Sequence, residues 1–254
     1  MLLEQTIDKL NQMKLFGMAS SLKERVTRPD HQDLSPSDLF GLIIDDEWLN
    51  RRNRKIQSRF NSAKFKERNA CIENISYKPS RGIKKSQVLE LAQGQWIEKH
   101  QNIAITGMSG AGKSYLAQAL GHQAVQSGHS VLYLRFPKLL LQLLHSRADG
   151  TYGRFLEKIA KTQVIILDDF AVPTMDEADK RDLLEIIEDR YATGSTILTS
   201  QLEIPTWHEY LGSGIVADAI LDRIIHNCHK IHLTGEESGR KKAEGLIESG
   251  DSAK

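Results

Sequence analysis

The fold of this 254-residue chain can be inferred outward from Gly107-Met108-Ser109-Gly110-Ala111-Gly112-Lys113-Ser114. An apolar run, Asn102-Ile103-Ala104-Ile105-Thr106, precedes this stretch, and a helix-like segment, Tyr115-Leu116-Ala117-Gln118-Ala119-Leu120, follows it. Strand, glycine-rich loop and helix in this order, with the spacing G-x-x-x-x-G-K-S, form a Walker A phosphate-binding loop, or P-loop. The glycines let backbone N–H groups point inward at the positive end of a helix dipole, which creates an anion site.

The side chains of this loop predict a site for ATP and Mg²⁺. We expect the Lys113 ammonium to reach the β- and γ-phosphates and the Ser114 hydroxyl to bind Mg²⁺. A plain glycine-rich turn is disfavoured, because the preceding strand and the following helix are both present. The predicted nucleotide-contacting residues are Gly107, Met108, Ser109, Gly110, Ala111, Gly112, Lys113, Ser114 and Tyr115.

Short apolar segments alternate with helical patterns along the middle and end of the chain. Because buried strands separated by helices are typical of doubly wound sheets, we predict an α/β fold with five parallel strands. The strands are predicted at 103–106, 131–135, 164–167, 196–199 and 230–233, and the helices at 85–98, 113–127, 138–147, 152–161, 177–191 and 216–227.

A second acidic element lies about 50 residues beyond the loop, where Val164-Ile165-Ile166-Leu167 ends in Asp168-Asp169. A P-loop ATPase needs such a strand to deliver carboxylates to the metal and the attacking water. Asp168 is predicted to hold Mg²⁺, and Asp169 to act as the base or water-orienting group. The alternative is a solvated turn after a core strand. Many ATPases carry Glu at the second position, and the shorter Asp predicts slow hydrolysis.

Two further groups are candidates for the site. Ser200 and Gln201, in the run Thr199-Ser200-Gln201, follow a strand whose carboxyl end faces the ligand crevice of an open sheet. They are predicted to contact the γ-phosphate or position water, unless they only end the strand at a turn. Arg223 is compatible with an arginine finger for a neighbouring subunit. Residue chemistry alone favours an intrahelical pair with Asp222 or Asp218.

The first third of the chain predicts a small all-helical domain. One helix is expected over residues 1–27, ended by Thr27-Arg28-Pro29-Asp30, and a second begins with Ser35 as N-cap and Pro36 at its first position. Within it, Asp45-Asp46-Glu47 is expected to be a solvated face. The domains are predicted as 1–70 (helical, DNA-binding), 71–87 (linker), 88–235 (core) and 236–254 (polar, disordered tail).

The net charge of +1 conceals a strongly basic block. Between Asn50 and Lys85 there are twelve Lys and Arg against two acids, so this segment carries +10 and the remainder −9. Such a face can bind duplex phosphates without reading sequence; a solvated face with no partner is the alternative. The predicted DNA-binding residues are Arg51, Arg52, Arg54, Lys55, Arg59 and Lys64.

Composition narrows the cellular setting. Two cysteines, Cys71 and Cys228, cannot form a disulfide framework, which fits a reducing compartment. No apolar run approaches the roughly 20 residues that span a bilayer. The segment Met1-Leu2-Leu3-Glu4-Gln5 lacks the basic start and cleavage site of a signal peptide. We therefore expect a soluble, cytoplasmic protein without a membrane partner.

The ordered motifs resemble the IstB family, the ATP-binding helpers of insertion-sequence transposition, which are relatives of the DnaC helicase loader among AAA+ ATPases. The resemblance covers most of residues 1–242. It is carried by the P-loop, Ile165-Ile166-Leu167-Asp168-Asp169-Phe170, Thr199-Ser200-Gln201-Leu202 and Asp222-Arg223-Ile224-Ile225-His226-Asn227. It implies an AAA+ core in which the aspartates fill the Walker B role, the Thr-Ser-Gln turn the sensor-1 role and Arg223 the finger role.

The resemblance also implies an activity and partners. It predicts a DNA-stimulated or transposase-stimulated ATPase that oligomerises on double-stranded DNA with ATP and helps a transposase of the same element to select and engage target DNA. The alternative is a DnaC-like replicative helicase loader. Arg240, in Ser238-Gly239-Arg240-Lys241, either supplies a sensor-2 cation or belongs to the tail.

Overall fold

A computed structural model of the chain describes residues 2–27 and 35–234. The predicted end of the first helix at Arg28-Pro29-Asp30, the tail at 236–254 and Arg240 lie outside these residues. The described part divides into two compact units, with the division between Arg59 and Phe60. That boundary lies before the predicted one at residue 70. The assignment of functions to the domains stays a prediction.

In the described residues, the first unit contains α1 (Leu2–Gln12), α2 (Phe16–Val26) and most of the long α3 (Pro36–Ala63). The prediction of a single helix over 1–27 is wrong. Lys14 adopts a left-handed φ of 60°, and this turn separates α1 from α2. Gly17 is required on α2, because a Cβ there would lie 2.7 Å from the Glu47 Cα on α3.

The predicted start of α3 is confirmed. The Ser35 hydroxyl accepts a hydrogen bond from the Asp38 backbone N–H at 3.2 Å, and Pro36 occupies the first helical position. A capping oxygen at this point satisfies a backbone donor that has no partner inside the helix.

The acidic cluster 45–47 of α3 is a solvated face only at Asp45, which is exposed, and not at Asp46 and Glu47. Glu47 is only 7% exposed, and its carboxylate accepts the Gly17 N–H at 2.7 Å and the Met18 N–H at 3.1 Å. Asp46 accepts hydrogen bonds from Ser21 at 2.5 Å and Arg25 at 2.9 Å. The Glu47 carboxylate lies at the amino end of α2, where it satisfies free N–H groups and favours the helix dipole. Asp46 binds side chains further along α2, so both acids fix α2 against α3.

A five-stranded sheet forms the centre of the second unit. Its order is β2-β3-β4-β1-β5, and every pair is parallel, which confirms the predicted sheet. Because all strands run one way, their carboxyl ends share one edge. The strands are β1 (Asn102–Gly107), β2 (Val131–Arg135), β3 (Val164–Phe170), β4 (Ser195–Ser200) and β5 (Cys228–Leu233).

The helices of this unit follow the predicted alternation with strands. The predicted helix at 85–98 is wrong in one respect, since Gly94 has a φ of 81° and divides it into two. The helices are α4 (Lys85–Ala92), α5 (Gln95–Glu98), α6 (Lys113–Gln126), α7 (Phe136–Ala148), α8 (Tyr152–Lys161), α9 (Glu177–Arg190), α10 (Trp207–Tyr210) and α11 (Ile215–Ile225).

The segment predicted as a linker is part of the folded second unit. Ile72, Ile75 and Ile83 are buried there, and Pro79–Arg81 forms a 3-10 turn. None of the helices in the described residues is long and apolar enough to cross a membrane.

Replacing Glu47 by Gln tests the junction between α2 and α3. Burial alone raises the pKa of Glu47, but the hydrogen bonds from Arg51, Met18 and Gly17 outweigh it and hold that pKa below its usual value. We expect the variant to lose about 1–3 kcal/mol of unfolding free energy at neutral pH, measured by urea unfolding.

Two comparisons accompany that measurement. Because the folded-state pKa is lowered, the difference from wild type should disappear as pH falls through the range of carboxyl titration. Asp45→Asn, at an exposed neighbouring acid, should change stability by less than about 0.5 kcal/mol. Equal losses in both variants would contradict the capping role of Glu47.

Candidate nucleotide-binding site

The P-loop lies between the carboxyl end of β1 and the first turn of α6, where its backbone requires glycine. Gly107, Gly110 and Gly112 have φ values of 143°, 81° and 93°. A Cβ on Gly107 would lie 2.2 Å from the Leu233 carbonyl oxygen, so the close pairing of β1 with β5 at this edge also excludes a side chain. The loop has the form of an anion cradle at a helix amino end.

Lys113, the first residue of α6, is buried against this loop. Its ammonium donates to the carbonyl oxygens of Gly107 at 2.7 Å and Met108 at 2.8 Å. Burial lowers the pKa of Lys113, while the carboxylates of Asp169 and Asp168 raise it in part. The ammonium therefore lies inside the cradle, where burial disfavours its charge and the two carboxylates offset this only in part.

Asp168 is the centre of the site's hydrogen-bond network. It is 3% exposed, and three hydroxyls from different elements donate to it. Ser114 of α6 and Thr199 of β4 reach Oδ1 at 2.7 and 2.5 Å, and Tyr133 of β2 reaches Oδ2 at 2.6 Å. Burial, together with the hydrogen bond to Asp168, raises the pKa of Tyr133, so its phenol stays protonated and donates.

Asp169 is the more open of the two acids. Its φ of 63° is unusual for a residue other than glycine and is a strained conformation of the kind found at functional sites. The Arg135 guanidinium of β2 donates to its Oδ2 through Nε at 3.0 Å and Nη2 at 2.7 Å. The Asp169 N–H donates to the Thr199 hydroxyl at 3.1 Å. Asp169 is therefore held beside the loop but paired with a cation.

These residues fit ATP and Mg²⁺. Ser114 and Asp168 bring a hydroxyl and a carboxylate oxygen within 2.7 Å of each other, and Mg²⁺ is bound by oxygen ligands of this type. The loop supplies backbone N–H groups and the Lys113 ammonium, which suit phosphate oxygens. Ser114 and Asp168 would hold the metal, and residues 107–115 the nucleotide.

The two predicted sensor residues occupy different environments. Ser200 is buried and its hydroxyl accepts the Leu202 N–H at 3.1 Å, whereas Gln201 is exposed. The residue of this turn that contacts the acids is Thr199. Motif spacing does not identify Tyr133 and Arg135, and within the run Thr199-Ser200-Gln201 it points to Ser200 and Gln201, because the approach of side chains to the acids follows from the strand order. The register that pairs Arg135 with Asp168 identifies the β2 side chains, and the register that pairs Leu167 with Leu198 identifies Thr199.

Arg223 lies at the opposite side of the sheet from the P-loop, where the strands begin. Its carbonyl accepts the Asn102 side-chain amide at 3.3 Å, and Asn102 begins β1 whereas the P-loop follows its end. The Arg223 guanidinium donates to the Ala219 carbonyl at 3.0 Å and pairs with Glu188 of α9 at 2.9 Å. The contacts expected with Asp222 or Asp218 are replaced by these. Arg223 also lines a cavity of about 290 Å³ with Lys99 and His100.

The predicted DNA-binding residues lie along the second half of α3 and just after it. Arg51 pairs with Glu47 at 2.6 Å, and the guanidiniums of Arg52 and Arg54 lie over the rings of Trp48 and Phe16, 5.5 and 5.0 Å from the ring centroids. The exposed members of the set are Arg51, Arg52, Arg54, Lys55 and Lys64, and Arg59 is half-buried.

The sheet order, the P-loop and the paired acids define a P-loop protein of the AAA+ class. Solved structures agree on the fold. AMPPCP-bound DnaA from Aquifex aeolicus gives a TM-score of 0.58 at 20% identity, over 73% of this chain and 57% of that one. The DnaC helicase loader gives a TM-score of 0.55 at 18% identity, over 65% of this chain and 97% of that one.

Within that class, the chain belongs to the family of IstB-like ATP binding proteins, which matches residues 8–246. A protein named as an insertion sequence ATP-binding protein in Sinorhizobium fredii is 43% identical over 95% of this chain and 98% of its own length. Another, named for the insertion sequence IS1162 in Pseudomonas fluorescens, is 41% identical over 81% of this chain and 89% of its own. The predicted family and fold are confirmed.

Tyr133→Phe tests the network around Asp168. Removing the Tyr133 hydroxyl leaves a buried carboxylate oxygen of Asp168 without its donor. The loss of such a supporting hydrogen bond typically weakens metal affinity about 10- to 100-fold. We expect a higher Mg²⁺ concentration to be needed for half-maximal ATP binding, as measured by titrating Mg²⁺ against a fluorescent ATP analogue.

Tyr210→Phe is the matched control, since its hydroxyl donates to the Pro173 carbonyl at 2.7 Å and not to the acids. It should leave the Mg²⁺ requirement unchanged. An unchanged requirement in Tyr133→Phe as well would show that the phenol does not support the metal site.

Proposed function

We propose that this chain is an ATP-hydrolysing AAA+ protein that assembles on duplex DNA and helps the transposase of its mobile element to select and engage target DNA. Membership of the IstB-like family supports the ATP site. The insertion-sequence names of its relatives support the transposition setting. The observation that carries the proposal is the separation of Arg223 from the P-loop of its own chain.

The residues of the site have distinct roles in this proposal. Bound ATP with Mg²⁺ supplies the phosphoryl group whose transfer to water yields ADP and phosphate. Lys113 binds phosphate oxygens, and Ser114 and Asp168 hold the metal. Asp169 orients water and accepts its proton. Because Arg135 donates two hydrogen bonds to Asp169 Oδ2, that oxygen is occupied while the pair persists, which is consistent with slow turnover.

Arg223 cannot serve the P-loop of its own subunit. The six residues of β1 separate the two ends of the strands, and the five steps between them, at about 3.3 Å each, span roughly 17 Å. A cation at the amino ends of the strands is instead placed to meet the P-loop of another copy stacked head to tail. ATP would then be bound between subunits, so nucleotide binding and assembly stabilise each other.

Mixing two inactive variants tests this shared site. Lys113→Ala lacks the phosphate-binding cation but keeps Arg223, and Arg223→Ala has the reverse defect. Each alone should hydrolyse ATP at least about 10³-fold more slowly than wild type, the contribution typical of an arginine finger. The two variants are then mixed in equal amounts in the presence of duplex DNA. About a quarter of the head-to-tail interfaces should combine an intact Lys113 with an intact Arg223 and regain activity, as measured by phosphate release.

Sedimentation gives the second readout of the mixing experiment. Arg223→Ala must remain folded, and its assembly with ATP and DNA should be weaker than that of wild type. A mixture as inactive as its components, with both variants assembled, would show that Arg223 does not act across subunits.

The cations of α3 are the proposed DNA contacts. They lie along one helix and include exposed side chains, and phosphate contacts of this kind give binding that is independent of sequence and sensitive to salt. One subunit makes few such contacts. An assembly would present many copies of the helix to one duplex and gain affinity through avidity.

A triple variant tests this surface. Replacing Arg52, Lys55 and Arg59 by Ala should weaken duplex binding and lower the slope of log K against log salt by roughly three per subunit, as measured by fluorescence anisotropy. The matched control removes three exposed cations of the core: Lys138, Arg154 and Lys158. Equal effects of the two variants would contradict a specific role for α3.

Single-stranded DNA is the competing ligand in the same assay. Preference for duplex supports the transposition proposal, whereas preference for single strands would favour the DnaC-like loader. If the protein bound neither duplex nor single-stranded DNA, the basic face of α3 would be only a solvated surface.

A further inference from the structure

Arg81 lies on the P-loop although it belongs to the segment that the sequence predicts as a linker. Its Nη2 donates to the Ala111 carbonyl oxygen at 2.6 Å, and its Nη1 to the Ser76 carbonyl at 3.1 Å. A Cβ on Gly112 would lie 2.6 Å from the same Nη2. The guanidinium is therefore packed against the turn that leads into α6.

The backbone around Arg81 is anchored to the strand edge that holds the P-loop. The Thr234 N–H donates to the Arg81 carbonyl at 3.1 Å, and the Thr234 hydroxyl donates to the Ser80 carbonyl at 3.0 Å. Gly82 follows with a φ of 66°, and a Cβ there would meet the Thr234 hydroxyl at 2.8 Å. Thr234 directly follows β5, whose Leu233 pairs with Gly107. These contacts with Thr234 therefore fix the position of the Arg81 backbone.

Arg81 adds a positive charge beside the P-loop. Arg81 lies beside the amino end of α6, where the helix dipole is positive, and Lys113 adds a second cation at the same end. In the described residues, both side-chain hydrogen bonds of Arg81 end on neutral carbonyls. Guanidinium groups bind phosphate oxygens well because they combine charge with planar donors. The phosphate chain of a nucleotide would balance this cluster.

The guanidinium also has donors left for a ligand. An arginine side chain carries five N–H groups, and two of them are used in the bonds to Ala111 and Ser76. The side chain is half-buried, so it is fixed at the loop and still open on one side.

We propose that Arg81 is a nucleotide-contacting residue that binds phosphate oxygens of the ATP held by the P-loop. This inference rests on the ATP site proposed above. Arg81 would add a cation from outside the Walker A motif, delivered by the turn 79–82. Its bond to Ala111 would also hold the loop ready for the phosphates, since a fixed loop loses less entropy on binding.

Three variants separate phosphate contact from support of the loop. Arg81→Gln keeps an amide that can donate to the Ala111 carbonyl but has no charge. Arg81→Lys keeps the charge without the planar donors, and Arg81→Ala removes both. Binding of fluorescent ATP and ADP analogues is measured at low protein concentration without DNA, so that assembly does not enter. Thermal unfolding without nucleotide is measured in parallel.

We expect Arg81→Ala and Arg81→Gln to bind ATP at least about tenfold more weakly than wild type, the scale of a charge-assisted hydrogen bond. Arg81→Gln should unfold at the wild-type temperature, and Arg81→Lys should recover part of the affinity. The matched control is Lys78→Ala, which removes an exposed cation from the same segment and should bind as wild type.

Other results would overturn the inference. Arg81→Gln binding both nucleotides as wild type, with Arg81→Ala defective only in thermal stability, would make Arg81 a structural support of the loop. If Lys78→Ala weakened ATP binding as much as Arg81→Ala, the effect would come from the net charge of the segment and not from a contact made by Arg81. Failure of wild type to bind ATP, with Lys113→Ala no different, would overturn the ATP site itself and Arg81 with it.

Discussion

The buried carboxylate of Asp168 is the constraint on which the site depends. A charge with 3% exposure is stable in a protein interior only if its oxygens are hydrogen-bonded. Three hydroxyls meet that demand, from Ser114 on α6, Tyr133 on β2 and Thr199 on β4. The same bonds join the first helix after the P-loop to three neighbouring elements of the sheet, so the chemistry and the packing of this edge share one set of contacts.

The parallel sheet explains why the candidate site is divided between two edges. All five strands end at the side that holds the P-loop and the acids, and all begin at the side that holds Arg223. A single chain cannot bring these groups together without breaking the sheet. Glu188 and the Ala219 carbonyl hold the guanidinium of Arg223 in place. A surface so arranged suits recognition between copies of the chain, which is the basis of the proposed assembly.

Much of the core could be predicted because its signals are local. Buried strands such as Val164–Phe170 read as short apolar runs, and the P-loop spacing is contiguous. A hydrophobic pattern does not reveal the helix division at Lys14 or the turn at Gly94, because a left-handed residue leaves little trace in it. The burial of Glu47 is hidden from the sequence for a different reason. Its carboxylate is buried by α2, an element 30 residues away, and helical periodicity carries no information about such a partner.

The sequence by itself determined the P-loop, the acidic strand end, the alternation of strands and helices, and the charge of α3, since each is encoded by residues close together in the chain. Only the tertiary structure decided which side chains surround the acids. Tyr133, Arg135 and Thr199 become neighbours of Asp168 and Asp169 because β2 and β4 flank β3. Arg81 meets Ala111 because the turn at 79–82 is held by the end of β5. Strand order and docking of distant segments depend on long-range packing, which no local pattern specifies.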